Sequence, residues 1–379
     1  MPAAIGPYRV VGLLGEGGMG VVWEAEQQHP SRRVAVKVMR EAHHFSDLQA
    51  RMFEREVETL GRLKHTNIAA IYESGWTEGG HGWFAMELVR GETLDRWLAT
   101  RPDPFARDEM VLRLRLFQTV CAAVNYAHQR GVIHRDLKPT NIAVLADAAG
   151  AAESAGASPH RDLAPPVKVL DFSLARFADA GEDAGSLLTR AGVVRGTPQY
   201  MSPEQARGET TTLDVRTDVY PLGMILYELL ARARPYSLSG LTMVEAVRVI
   251  CETPPRPLRE VWRGARRLDP DLETIVGKAL EKEPDRRYPS AAALSDDVER
   301  YLNAEPIAAR PPSRVYRARK FLARHRLGVA VAAAAVVLLA GFGASMAVQA
   351  RRVARERDRA NLEAQAFKRV AGFMAGMFR

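Results

Sequence analysis

The stretch His134-Arg135-Asp136-Leu137-Lys138-Pro139-Thr140-Asn141 decides the fold and most of the chemistry of this chain. Asp136 is placed to accept or orient the proton of an attacking hydroxyl, Lys138 to neutralise charge on a transferred phosphoryl group, and Asn141 to hold Mg²⁺. Thirty residues after Asn141, Asp171 ends a short apolar run and offers a carboxylate as a second metal ligand. This set indicates phosphoryl transfer, which depends on positioning and charge neutralisation more than on covalent chemistry.

A glycine-rich segment near the amino terminus fits the same chemistry. Residues 15–22 read Gly-Glu-Gly-Gly-Met-Gly-Val-Val, a pattern whose positions without side chains let backbone N–H groups close over phosphates. Lys37 ends a Val-Ala-Val-Lys strand pattern that holds an ammonium group against α- and β-phosphates, and Glu56 on the next predicted helix is placed to pair with it. Glycine-rich hairpins and strand lysines are common individually, so the ordered spacing carries the prediction.

The pattern of apolar residues divides the chain into a strand-rich part and a helix-rich part. Short apolar runs predict strands from Tyr8 to Val38 and over 68–72 and 83–89, with an amphipathic helix over 48–64. After Gly91 the predicted helices cover 110–130, 218–232, 242–252, 271–281 and 291–301. A segment rich in Ala, Gly, Ser and Pro, 146–166, is predicted to be a loop between strands at 142–145 and 167–170.

These motifs together resemble those of the bacterial eukaryotic-like (Hanks-type) serine/threonine protein kinases over residues 8–303. Further matching stretches are Gly196-Thr197-Pro198-Gln199-Tyr200-Met201-Ser202-Pro203-Glu204-Gln205, Asp218-Val219-Tyr220 and Asp285-Arg286-Arg287-Tyr288. The resemblance implies an α+β, bilobal protein kinase fold, with a strand-rich N-lobe (8–90), a helical C-lobe (91–303), and ATP and Mg²⁺ in the cleft between them. It also implies that Arg287 pairs with Glu204, and that Lys138 favours serine and threonine over tyrosine as acceptors.

The resemblance also assigns the site residues. Catalytic roles fall on Asp136, Lys138, Lys37 and Glu56, and metal ligation falls on Asn141 and Asp171. ATP contacts, with Met86 at the gatekeeper position, are expected from Leu14, Gly15, Gly17, Gly20, Val22, Lys37, Met86, Glu87 and Val89.

The segment 186–197 corresponds to part of the activation segment, where Thr189 and then Ser186 are the phosphosite candidates and Thr197 is expected to be structural. Because Arg135 precedes the catalytic aspartate, a phosphate on this segment is expected to form charge-assisted hydrogen bonds that order it.

Three features depart from the family pattern. Ser173 replaces the usual glycine of the Asp-Phe-Gly motif and is expected to stiffen it, while Asp171 is retained. Pro221 stands where a small polar residue is usual, and it is expected in the first turn of a helix, where a missing N–H costs little. The insertion 146–166 is expected to be tolerated as a surface loop.

The carboxyl-terminal part has a different composition. In this chain of 379 residues, residues 314–379 carry 14 Lys and Arg against 3 Asp and Glu, whereas residues 1–313 carry 39 against 42. The mildly acidic folded part excludes a nucleic-acid binder. Residues 327–348 have no charge and would span about 33 Å as a helix, enough for a hydrocarbon core of about 30 Å. We predict one transmembrane helix there, after a Pro/Ala-rich and then basic juxtamembrane linker at 304–326.

The flanks of this helix leave its orientation open on charge alone. The 20 residues before it hold seven Lys and Arg, and the 20 after it hold six. The expected topology is a single pass through the inner membrane with a cytoplasmic kinase domain, because ATP is cytoplasmic and residues 1–20 lack a signal-peptide pattern. Val353, Ala360, Phe367 and Met374 recur every seven residues, so the basic tail 349–379 is expected to be helical and to pair with a second copy, or to begin a further domain.

Two functions from different classes remain on the sequence alone. The first is an active kinase that transfers the γ-phosphoryl group of Mg-ATP to Ser and Thr hydroxyls of protein substrates and is activated by autophosphorylation. The alternative is a membrane-tethered pseudokinase that acts as a scaffold for nucleotide or partners. All the catalytic residues are present, which favours the first. Cys121 and Cys251, 130 positions apart, indicate neither a disulfide framework nor a metal site.

Overall fold

The computed structural model describes residues 2–17, 20–39, 47–145, 165–172, 198–209, 213–264, 267–311 and 313–377. The predictions about Ser173, Ser186, Thr189 and Thr197, and about most of the insertion 146–166, lie outside these residues. The chain forms two units, Met1–Pro311 and Pro312–Arg379, which are described separately.

The amino-terminal part of the first unit is a twisted antiparallel sheet with strand order β1-β2-β3-β4-β6-β5. Its strands are β1 (Ala4–Ile5), β2 (Tyr8–Gly17), β3 (Gly20–Gln27), β4 (Arg32–Met39), β5 (Ile71–Trp76) and β6 (Gly82–Glu87). Lys37 lies on β4, opposite Val22 of β3 and Phe84 of β6. A side chain at Gly20 would collide with the Val38 carbonyl, so the start of β3 needs glycine to pair with β4.

The other described residues of the first unit include a series of helices and a three-stranded antiparallel sheet of β7 (Gly91–Thr93), β8 (Ile142–Leu145) and β9 (Val167–Val169). The helices of this unit are α1 (Asp47–Gly61), which packs beside the six-stranded sheet, then α2 (Leu94–Thr100), α3 (Arg107–His128), α4 (Pro203–Ala206), α5 (Arg216–Ala231), α6 (Met243–Glu252), α7 (Leu258–Val261), α8 (Pro270–Ala279) and α9 (Ala291–Leu302). Of the residues of α5, all except Arg216 and Glu228 are buried, so this helix is the centre of the helical core.

Two local predictions were wrong. A strand was predicted over 68–72, but β5 begins at Ile71. Residues 68–69 instead pair with Val169, to which Ile68 forms a parallel bridge and Ala69 donates a 3.0 Å hydrogen bond. Pro221 was expected in a first helical turn, but α5 begins at Arg216, so Pro221 lies inside the helix and leaves the helical bond to Thr217 without its N–H donor.

The end of the first unit is tied to α9 by one carboxylate. Asp297 is fully buried, and it accepts hydrogen bonds from the backbone N–H groups of Ala308 (2.6 Å) and Ala309 (2.8 Å). It also accepts bonds from the Tyr288 hydroxyl (2.9 Å) and the Arg300 guanidinium (2.8 Å). The Pro/Ala-rich residues 304–311 therefore pack as part of the folded unit.

The second unit consists of α10 (Arg314–Arg324) and α11 (Arg326–Met377). The 52 residues of α11 span about 78 Å at 1.5 Å per residue, well beyond a hydrocarbon core. A stretch of this helix beginning at Leu327 is long and apolar enough to cross a membrane. Residues 349–377 continue the same helix.

Candidate active site

Residues 134–141 lie in the loop that links α3 to β8, and this stretch is the catalytic loop. Three of its side chains come together. Lys138 Nζ lies 2.7 Å from Asp136 Oδ2, and Asn141 Nδ2 donates to the Asp136 carbonyl (2.7 Å) and to Oδ2 (3.2 Å). A short 3₁₀ turn, Pro139–Asn141, brings Asn141 back towards the aspartate. The Asp136 carboxylate is therefore held in one orientation by an ammonium and an amide, with part of its surface still open to a substrate hydroxyl.

A buried carboxylate beneath the loop fixes its backbone. Asp218, near the start of α5, accepts hydrogen bonds from the backbone N–H groups of His134 (2.7 Å) and Arg135 (2.8 Å), and its Oδ2 lies 2.7 Å from His128 Nε2. Burial opposes ionisation of Asp218, but the His128 contact and the loop N–H groups outweigh it and hold the pKa of this carboxyl below its ordinary value. The hydrogen bonds from the His134 and Arg135 N–H groups to Asp218 also support the left-handed backbone of Arg135, whose φ is 64°.

The second part of the site is an ion pair between the two lobes. Lys37 Nζ lies 2.9 Å from Asp171 Oδ2, although the two residues are 134 positions apart. Asp171 has φ of 53°, and the ring of the next residue, Phe172, packs 4.6 Å from the His134 ring. The residue after Asp171 therefore contacts the loop that carries Asp136.

Glu56, which was predicted to pair with Lys37, lies on α1. It lines a cavity of about 310 Å³ together with Arg135 of the catalytic loop and Arg55. Lys37 forms an ion pair with Asp171. The pairing of Glu56 with Lys37 therefore remains a prediction.

The side chains at the predicted metal site fit a Mg²⁺ ion. Asp171 Oδ1 is buried, and no hydrogen-bond partner for it is found among the residues that the structure describes. Such an orphaned carboxylate oxygen suits a hard cation, which binds oxygen ligands. Because Asn141 Nδ2 is engaged with Asp136, its amide oxygen is the atom left for a metal.

The predicted ATP-contacting residues lie on β2, β3, β4 and β6 and just after β6. Gly15 and Gly17 of β2 border open space, because no described atom lies within 4 Å of the place where a Cβ atom would stand at either position. Such open space allows phosphates to approach the backbone closely. Leu14 is partly exposed, and Val22 is half-buried across the strand pair. Met86 and Glu87 end β6, and Val89 follows in the segment leading to the helical lobe.

Two residues of the site were missed from the sequence. His128 supports Asp218 but reads as one more member of the apolar face of α3. Lys168 Nζ lies 2.9 Å from Glu87 Oε2 and ties the strand before Asp171 to the end of β6. The available signal for Lys168 was a charged residue in an otherwise apolar strand, Val-Lys-Val.

The expected pair of Glu204 and Arg287 is confirmed. The guanidinium donates two 2.7 Å hydrogen bonds to the carboxylate, and both side chains are buried. Burial favours the neutral acid, but these bonds outweigh it and hold the pKa of Glu204 below its usual value. Gln205, next in the chain, donates a 2.7 Å bond to the Arg135 carbonyl, so this segment is fixed to the catalytic loop.

Comparisons with known proteins agree with this geometry. Residues 8–298 match the protein kinase domain family. Serine/threonine-protein kinase pkn3 of Myxococcus xanthus is 39% identical over 292 residues, which cover 77% of this chain and 49% of the relative. Serine/threonine-protein kinase PknB of Mycolicibacterium smegmatis is 37% identical over 294 residues, covering 77% and 42%. The chain thus spans about half of these relatives or less.

Solved structures share the fold. The crystal structure of the Mycobacterium tuberculosis PknI kinase domain matches with a TM-score of 0.55 and 25% identity, covering 78% of this chain and 96% of that one. The match to the family model covers most of the chain and lies within the first unit. With its glycine-rich strand pair, its Lys37–Asp171 bridge and its catalytic loop, the chain belongs to the protein kinase family, among the bacterial Hanks-type serine/threonine kinases.

Proposed function

We propose that this protein is an active, Mg-ATP-dependent serine/threonine protein kinase. The observation that carries the proposal is the cluster of Asp136, Lys138 and Asn141, together with the Lys37–Asp171 ion pair, whose neighbour Phe172 packs on His134 of the same loop. Phosphoryl transfer needs an oriented acceptor hydroxyl, a cation near the moving phosphoryl group and metal ligands, and these side chains supply all three.

Each residue then has a separate task. Asp136 orients the acceptor hydroxyl and accepts its proton, while Lys138, 2.7 Å away, offsets charge on the phosphoryl group. Lys37 binds the α- and β-phosphates. Asn141 and Asp171 would hold Mg²⁺, which neutralises phosphate charge when bound. Acceptor proteins reach the site beside the segment anchored by Glu204.

The direct test is transfer of the γ-phosphoryl group from labelled ATP to a generic basic protein, with the purified full chain and Mg²⁺. Phosphoserine or phosphothreonine in the product supports the proposal. Nucleotide binding without transfer would instead support the membrane-tethered pseudokinase.

Replacement of the metal-binding carboxylate should change the dependence on metal. Asp171→Asn keeps the shape of the side chain but removes its charge, so we expect half-maximal activity only at a much higher Mg²⁺ concentration, with a lower maximal rate. A Mg²⁺ titration of the initial rate measures both quantities. The control is Asp285→Asn, which changes an exposed carboxylate that forms an ion pair with Arg216. An unchanged titration curve for Asp171→Asn would remove this residue from the metal site.

We further propose that the kinase activates itself by phosphorylation of the segment 186–197, at Thr189 and secondarily at Ser186. Arg135, with Arg55 beside the same cavity, supplies the cationic side chains that a phosphate on this segment would need. Mass spectrometry of protein incubated with Mg-ATP should find phosphate at Thr189, and Thr189→Ala should lower the rate. Active enzyme without phosphate at either position would contradict the proposal.

For the second unit we propose a single membrane pass over 327–348, with the kinase domain in the cytoplasm. The support is the exposed, uncharged stretch of α11 beginning at Leu327. The basic residues 314–326 then meet the lipid surface, and the tail 349–379 lies beyond the membrane, where its heptad pattern would pair two copies. Protease added outside intact spheroplasts should trim the tail alone. Loss of the kinase domain, or full-length protein in the soluble fraction, would overturn this placement.

A further inference from the structure

The helix α10 carries an exposed apolar stripe just before the proposed span. Val315 is 79%, Phe321 60% and Leu322 49% exposed. With 3.6 residues per turn, these three side chains and Ala318 fall within an arc of about 120°. An 11-residue helix with such a stripe does not bury it within itself, so the stripe requires something outside the helix to cover it.

A second arc of α10, beside this stripe, is basic. The helix contains five cationic residues and no acidic residue, the cations being Arg314, Arg317, Arg319, Lys320 and Arg324. By the same spacing, Arg317, Lys320 and Arg324 fall within an arc of about 60° that begins about 40° from Phe321, whereas Arg314, in the first turn, falls within the arc of the apolar stripe. Lys320 lies above the Tyr316 ring at 5.9 Å, so the aromatic ring borders the charged face.

The ends of α10 make it a helix separate from the proposed span. Ser313 caps its start by accepting a hydrogen bond from the Tyr316 N–H. At the other end, His325 leaves the helical conformation, with φ of −109° and ψ of 36°, before α11 begins at Arg326. The apolar stripe therefore belongs to a short helix whose direction is not fixed by continuation into α11.

We propose that α10 lies in the plane of an anionic lipid surface, with Val315, Phe321 and Leu322 among the upper acyl chains and the cations among the headgroup phosphates. This inference rests on the proposed membrane placement of 327–348. Lipid is the occupant that fits, because a helix with only cationic charges complements anionic headgroups, and because it ends two residues before a stretch suited to the hydrocarbon core. The kinase domain is then held at the membrane by two elements, an in-plane helix and a span.

The test uses single labels on the full chain in vesicles. Cys121 and Cys251 are replaced by alanine, one cysteine is introduced at Val315, Phe321, Arg317 or Leu338, and each carries an environment-sensitive fluorophore. Vesicles contain phosphatidylcholine alone or with phosphatidylglycerol. Brominated acyl chains should quench labels at 315 and 321 strongly with phosphatidylglycerol and several-fold less without it. The label at 317 should stay accessible to an aqueous quencher.

Charge reversal provides the matched comparison. With the label at 315, Arg317→Glu with Lys320→Glu should abolish quenching by brominated lipid, whereas Arg351→Glu with Arg352→Glu, beyond the span, should not. Labels at 315 and 321 as water-accessible as the one at 317 would overturn the inference, and so would labels shielded from both quenchers, which indicate a protein cover. The label at Leu338 reports the span separately, since its failure to be quenched in any vesicle would overturn the membrane placement itself.

Discussion

The Asp136→Asn variant is expected to fold normally and to transfer phosphate about 10²–10⁴-fold more slowly than the parent protein. The substitution keeps the size of the side chain and its contact with Asn141, but it removes the carboxylate charge that orients the acceptor hydroxyl and pairs with Lys138. Little stability should be lost, because this side chain is partly exposed and contributes little to packing. The measurement is kcat with a saturating protein acceptor, alongside thermal unfolding of both proteins.

The companion variant is Lys138→Met, which removes the other charge of the pair. It should also slow transfer while leaving nucleotide affinity near that of the parent, since neither residue is assigned a contact with the adenine or the α-phosphate. Full activity of Asp136→Asn would exclude this loop as the catalytic centre, whatever the nucleotide affinity.

The Arg287→Met variant is expected to lose about 3–5 kcal/mol of unfolding free energy, because it leaves the Glu204 carboxylate buried without its cation. The guanidinium also donates to the carbonyls of Glu281 (2.7 Å) and Lys282 (2.8 Å), which would lose their donors as well. Chemical denaturation of the detergent-solubilised chain measures the loss. The segment around Glu204 also touches the catalytic loop through Gln205, so activity should fall together with stability.

Arg286 offers a matched comparison for that result. It is the preceding residue, and its ion pair with Glu281 is largely exposed, so Arg286→Met should change the unfolding free energy by less than about 1 kcal/mol. The double variant Arg287→Met with Glu204→Leu should recover part of the loss, because no uncompensated charge remains. Equal effects at positions 286 and 287 would contradict a special role for the buried pair.

The sequence motifs predicted the residues of the candidate site better than they predicted the residues that hold those side chains in place. Asp136, Lys138 and Asn141 lie within six positions of one another, so their spacing alone brings them together. The Lys37–Asp171 contact was not predicted, because it joins two lobes across 134 positions and the sequence motifs pointed to Glu56 as the partner of Lys37. His128 and Lys168 were missed since their partners, Asp218 and Glu87, lie 90 and 81 positions away and no local pattern links them.

Errors in the secondary structure have equally physical causes. The apolar run 68–72 was compatible with a sheet strand, but the Ile68 N–H donates to the His65 carbonyl and the Ala69 N–H donates to the Val169 carbonyl in the other lobe. Pro221 was placed in a first turn because Asp218 resembles a helix-opening residue. The structure starts α5 at Arg216, and burial on all sides holds the helix together despite the proline.

The hydrogen bonds of the Asp297 carboxylate decide where a recombinant fragment of the first unit should end. A soluble fragment cut at residue 303, where the sequence motifs end, would lack the Ala308 and Ala309 amides and leave two of the four bonds to a fully buried anion unmade. Each unmade bond of this kind costs about 1–3 kcal/mol, so that fragment should express poorly or aggregate. A fragment that ends at Pro311 keeps both amides and the buried Ile307 side chain. The first unit should therefore be produced with this boundary for crystallisation.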